Sequence, residues 1–193
     1  MKTSILAAAL GLAFSTGAFA QAGAGTIQRD VNQQQRIEQG LQSGSLNTRE
    51  ASRLESEESK VQRDQSRAMR DGNLSPAEKA KLNQEQNRVS RDINREENNA
   101  QMGNPNSASS QRMQADVQRN VNQQQRVEQG VQSGSLTTRE AGQLERGQAN
   151  VDRREARAGA DGNVSAKEQQ RVQSAENRQS KKIYREKHDR QKK

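Results

Sequence analysis

Two short turns carry the residues with the clearest chemical options. Asp71-Gly72-Asn73-Leu74-Ser75 leads to Glu78, and Asp161-Gly162-Asn163-Val164-Ser165 leads to Glu168. A carboxylate on each side of a sharp turn offers oxygen to a hard cation, so Asp71, Glu78, Asp161 and Glu168 are candidate metal ligands. The same residues also spell the start of a helix. A serine hydroxyl that accepts from the backbone three residues on, with a glutamate at that third position reaching back, caps a helix without any ion. Arg67 and Met69 stand where the first turn would need further oxygen ligands, and Arg157 and Gly159 stand there in the second. A guanidinium at a ligand position repels a cation. The helix cap is therefore the leading reading of both turns, and calcium or another cation is the alternative.

The C-terminal stretch offers a different chemistry. Arg178, Lys181, Lys182, Arg185, Lys187, Arg190, Lys192 and Lys193 face only Glu186 and Asp189. Such an excess of positive charge attracts phosphate-rich polyanions, an anionic envelope surface among them. Nucleic acid is disfavoured, because export removes the chain from the cytoplasm and a single tyrosine, Tyr184, interleaves the charge. The bland alternative is a solvated helix end. His188 is the single histidine and there is no cysteine. That leaves neither a transition-metal ligand set nor a base–nucleophile pair, so no enzyme and no cofactor are expected.

The elements that hold these residues are built twice. Residues 29–98 align with 119–188 at a constant offset of 90, and 36 of the 70 positions are identical. A gapless repeat means one structural unit made twice. Apolar character is kept in pairs, including Val31/Val121, Ile37/Val127, Leu46/Leu136, Leu54/Leu144, Leu82/Val172 and Ile93/Ile183. Each copy reads as three helices. In the first they cover about Thr26 to Leu41, Thr48 to Arg70 and Ser75 to Asn98. Gln42-Ser43-Gly44-Ser45 and Asp71-Gly72-Asn73-Leu74 separate them, with glycine placed to end a helix. Leu54, Val61 and Ala68 repeat every seven residues, a thin coiled-coil-like stripe. The expected fold is all-α: two tandem three-helix units, each a helical hairpin plus one. Residues 29–98 form the first repeat, 99–118 a polar linker around Gly103-Asn104-Pro105, 119–188 the second repeat, and 189–193 a basic tail end.

The N-terminus reads as an address. Lys2, the apolar run Ile5 to Phe14 and Ala18-Phe19-Ala20 make a signal peptide over 1–20, with a loose leader over 21–28. The apolar run is too short to span a bilayer, and the mature chain is expected in the periplasm or outside the cell, with no transmembrane span. Within it the charge is uneven. Copy one is neutral, with 13 basic and 13 acidic residues, whereas copy two has 14 against 9. Large apolar side chains are few, about ten per copy, at roughly 1.5–3 kcal/mol each when fully buried. A stripe that thin favours packing between copies, self-association or a protein partner.

The turns, Asp71-Gly72 to Glu78 and Asp161-Gly162 to Glu168, resemble the second half of an EF-hand calcium loop. Ser43-Gly44-Ser45-Leu46 to Glu50, and its counterpart ending at Glu140, share the skeleton without the acidic residue. Together with Ser180-x-x-Ile183-Tyr184-x-x-Lys187-His188, the repeats resemble small exported bacterial helical-repeat proteins. That resemblance implies an envelope structural or interaction module and no activity.

Overall fold

The computed structural model describes residues 17–189, and side chains from Gly23 onward. Six helices follow one another: α1 (Gly17–Ser43), α2 (Thr48–Ala68), α3 (Pro76–Glu97), α4 (Ala108–Gln132), α5 (Thr138–Ala158) and α6 (Ala166–His188). The fold is all-α, and no helix among the described residues is long and apolar enough to cross a membrane. Most of the expected signal peptide lies outside the described residues.

Local chemistry explains the boundaries. Asn47, Ser75, Thr137 and Ser165 each cap a helix, and Glu50, Glu78, Glu140 and Glu168 each reach back to close a capping box. α1 ends where Gly44 takes φ +81°, a conformation that costs a side-chain-bearing residue strain. The chain then folds back so that the Leu46 N–H donates to the Gly40 carbonyl at 2.9 Å.

Two expected boundaries shift. The leader 21–28 is helical, and Ala24 and Ile27 are buried. Residues 108–118 of the expected linker belong to α4, which Ser107 caps. The remaining link is tied down, because the Gly103 N–H donates to the Gly44 carbonyl at 2.8 Å and Asn99 donates to Glu50 at 2.8 Å. Polar sequences such as Ser109-Ser110-Gln111-Arg112 show no wide apolar stripe, yet Met113 and Val117 are fully buried, and Ser109 and Arg112 bond the Val164 backbone at 2.8 and 2.9 Å.

The two repeats interlock about a pseudo-twofold axis. α2 runs antiparallel to α5, and the most extensive helix–helix contacts are α2 with α5 and α1 with α4. At the axis the Ser59 hydroxyl donates to the Ala149 carbonyl at 2.9 Å, and these positions are equivalents in the two copies. Arg49 reaches the Asp161 carbonyl at 2.7 Å, as its equivalent Arg139 reaches the Arg70 carbonyl at 3.1 Å. α3 lies against α1 and α2, and α6 against α4 and α5.

The apolar core is shared accordingly. One cluster joins Ile37, Leu41, Leu46, Leu54, Val89 and Ile93 of the first copy to Met113, Val117, Val164 and Val172. The other joins Ile27 and Met69 to Val127, Val131, Leu136, Leu144 and Ile183. The start of α1 thus packs into the second copy, and the start of α4 into the first. Each thin stripe is completed by the other repeat.

Candidate functional site

The two acidic turns are engaged as caps. Glu78 Oε2 accepts from the Ser75 N–H at 3.0 Å and its hydroxyl at 2.6 Å. Glu168 does the same with Ser165 at 3.0 and 2.6 Å. The Ser165 hydrogen bonds hold the Glu168 carboxyl below its usual range. Asp71 and Asp161 each accept from the N–H two residues on, at 2.9 and 2.8 Å, which is a local Asx turn. Met69, at a would-be ligand position, is fully buried.

The basic C-terminal stretch is the outer face of α6. Arg178, Lys181 and Arg185 are exposed, and Lys182 and Lys187 are half-buried. Arg190, Lys192 and Lys193 lie outside the described residues. His188 stacks on Tyr184 with ring centroids 4.1 Å apart, and both are exposed.

A larger concentration of charge lies across the α2–α5 pair. A groove of about 930 Å³ is walled by Arg63, Arg67 and Arg70 from α2 and the turn after it. Arg139, Arg146 and Arg153 from α5 and Lys182 from α6 complete it, with only Ser66, Gln143 and Asn150 between them. No acidic side chain lines it. Arg67 pairs with Asp64 at 2.6 Å, while Arg63 is held by the Ser59 hydroxyl at 2.8 Å and Lys182 by the Gln143 carbonyl at 3.3 Å. Across the pseudo-axis a smaller groove repeats the pattern with Arg49, Arg53, Arg153 and Arg157. The whole outward face of the pair is an arginine surface, joined at one edge to α6 by Lys182.

Directly beneath it the inward face is acidic. Asp30, Glu55, Glu58, Glu145, Asp152 and Glu155 are buried, with relative exposures of 0%. Carboxamides hold several of them in place. Gln34 donates to Glu55 at 2.9 Å, Asn120 to Glu155 at 2.6 Å, and Gln148 to Asp152 at 3.2 Å. Asp30 receives Gln86 at 2.6 Å and Gln65 at 2.6 Å. Burial pushes the Glu55 and Glu145 carboxyls up to about 8 and Asp30 up to about 7. Glu58, Asp152 and Glu155 are pushed well above the usual range, first by burial and then by the neighbouring carboxylates. Further out, burial and Glu176 raise Asp116 to about 8. Burial raises Glu176 to about 7 against the pull of Arg119.

Sequence reasoning passes over both features. Along α2 Arg49, Arg53 and Arg67 are exposed, whereas Glu50, Glu55 and Glu58 are buried. One signal for the acidic core was present at the repeat offset. Asp30/Asn120, Glu58/Gln148, Gln65/Glu155 and Gln86/Glu176 each exchange an acid for its amide. Such exchanges keep shape and hydrogen bonding while changing charge, which is the mark of a buried polar position. Compared with known protein families, characterised proteins and solved structures, the chain matches none.

Proposed function

We propose that this chain is an exported, non-enzymatic helical module of the cell envelope that works by contact, and that its contact surface is the arginine face of α2 and α5. The partner chemistry is a phosphate-bearing anionic surface, such as lipid headgroups or lipopolysaccharide. The observation that carries this reading is the groove of seven cations with no lining carboxylate. Arginine forks suit phosphate oxygens, and a cluster of them raises the local concentration of an anionic partner. The export assignment rests on the N-terminal charge, apolar run and Ala18-Phe19-Ala20 pattern.

Self-association through a leftover apolar stripe is less favoured than the sequence alone suggests. Each copy's stripe is covered by the other, and the exposed large apolar side chains among the described residues are Met102 and Tyr184. The acids that could exchange protons are sealed in the core, out of reach of a substrate.

The test is sedimentation of residues 21–193 with vesicles, anionic against zwitterionic, at low and high salt. Binding to anionic vesicles that weakens with salt is expected. Changing Arg63, Arg70, Arg139, Arg146 and Arg153 to Gln removes it with the helix signal intact. Changing Arg178, Lys181 and Arg185 to Gln leaves most of it. Binding that survives the first set and is lost with the second moves the surface to the C-terminal stretch. No salt-sensitive binding at all overturns the proposal.

A further inference from the structure

We propose that Glu55, Glu58, Asp152 and Glu155 form a buried binding site for a hard divalent cation between α2 and α5. The antiparallel packing that sets Gly142 against Met69 and Gly159 against Ser52 brings Glu55 to Glu155 and Glu58 to Asp152. One oxygen from each of Glu55, Asp152 and Glu155 lies within 4.8 Å of the others. Oxygens on opposite sides of a calcium- or manganese-sized ion, with bonds of about 2.1–2.5 Å, lie about 4.2–5 Å apart. The spacing fits one ion.

Unpartnered oxygen at the same place is the second observation. Gln34, Gln148 and Asn120 each hold one oxygen of Glu55, Asp152 and Glu155. The other oxygen of each, Glu55 Oε1, Asp152 Oδ2 and Glu155 Oε1, has no partner. Glu58 is fully buried among Asp30, Glu55 and Asp152 with neither oxygen bonded. Gln62 lies beside Asp152, though neither of its amide atoms reaches hydrogen-bond geometry. The amides act as orienting groups outside a ligand set, the arrangement that surrounds metal-bound carboxylates. Among the described residues no lysine or arginine is ion-paired with any of the four. A bound cation satisfies buried acceptors in this excess, and protonation is the competing way to do so.

The donor set selects the class. Oxygen alone, with no histidine or thiol, suits calcium, magnesium or manganese over zinc or copper. The repeat supplies an internal control as well. The equivalents of Glu55, Asp152 and Glu155 are Glu145, Gln62 and Gln65, so the fold accepts one acid where the site has three. The concentration of carboxylates is therefore not a requirement of the helix packing. Full burial means that the ion enters during folding or through a slow opening of the α2–α5 pair. This site is independent of the arginine face and of the capped turns.

Residues 21–193, unfolded and refolded with chelator or with Ca²⁺, Mg²⁺ or Mn²⁺, give the test. The expected result is a higher melting temperature with one of these ions, retention of that ion through gel filtration, and reversal only on refolding with chelator. The Glu55→Gln, Glu155→Gln double variant folds without ion and loses affinity at least as strongly as removal of supporting groups does, on the order of 10–100-fold. Glu145→Gln keeps the response. Identical melting with ion and chelator, together with a double variant that is equally stabilised in both, overturns the site in favour of neutral, hydrogen-bonded carboxyls. An ion response that survives the double variant but is lost when Asp71, Glu78, Asp161 and Glu168 are neutralised places the ion at the turns and overturns it too.

Discussion

Ser165 and Glu168 show how much a single residue can disclose. A serine followed three residues later by glutamate is a purely local pattern, and the reciprocal hydrogen bonds follow from it directly. Ser165→Ala is expected to destabilise the fold by about 1 kcal/mol in urea unfolding, with no dependence on calcium. A calcium-dependent loss would mean the turn does more than cap. Glu55 is the opposite case. Within Arg53-Leu54-Glu55-Ser56-Glu57-Glu58, nothing local separates the buried Glu55 and Glu58 from the half-buried Glu57 between them. What buries them is the antiparallel α5, about 90 residues away in sequence. The exchange of Glu58 for Gln148 between copies pointed there, whereas Glu55, matched by Glu145, carries no such signal.

At the scale of the elements, helix count, order and caps were legible, because periodicity and capping act within a few residues. The pairing of α2 with α5 was not, since it depends on small residues placed where two backbones meet. A Cβ added at Gly142 would come 2.8 Å from the Met69 Cβ, and one at Gly159 would come 2.9 Å from the Ser52 Cβ. Gly142 is the equivalent of Ser52, and Gly159 of Met69, so the close approach recurs on both sides of the axis. Gly159→Leu is expected to force the helices apart and cost about 1–3 kcal/mol, read as a lower urea midpoint. Unchanged stability would mean that α2 and α5 do not meet as described. The arginine face depends on the same pairing, because its two walls belong to different repeats.

For the whole molecule, the core titrates in an unusual sense. In the ion-free protein Asp30 and Glu176 sit near 7 and Asp116 and Glu145 near 8, all raised from about 4. Asp30 is faced by Gln65 and Gln86 with Arg29 beside it, and Glu145 by Gln124 and the more distant Asp30. Asp116 is faced by Glu176, Arg119 and Gln169. Between these ranges the folded chain binds more protons than the unfolded one, so stability falls as pH rises. The contribution is complete below about pH 4 and is lost as pH climbs through about 7 to 8. Urea midpoints in chelator should therefore decline from mildly acidic to mildly alkaline pH. A flat or rising profile would contradict carboxyls that are neutral in the ion-free core.

Interlocking also predicts that one repeat is not a folding unit. Residues 21–98 alone lack Met113, Val117, Val164 and Val172, which complete their apolar cluster. Their helix signal by circular dichroism should be weak when dilute and grow with concentration. Strong, concentration-independent helix would show a self-sufficient unit instead.

The pseudo-twofold axis has one more effect, on the direction in which the molecule points. Two identical first repeats meeting about such an axis would set Glu55 against Gln65 and Glu58 against Gln62, each acid facing an amide, the same at both ends. Here the two partners have diverged while staying covalently joined. Along the pair the facing sets run Glu55 with Glu155, Glu58 with Asp152, Gln62 with Gln148, then Gln65 with Glu145. Four acids gather at one end and three amides with one acid at the other. A true homodimer is barred by its own symmetry from such a gradient. Fusing the halves into one chain gave this bundle a front and a back.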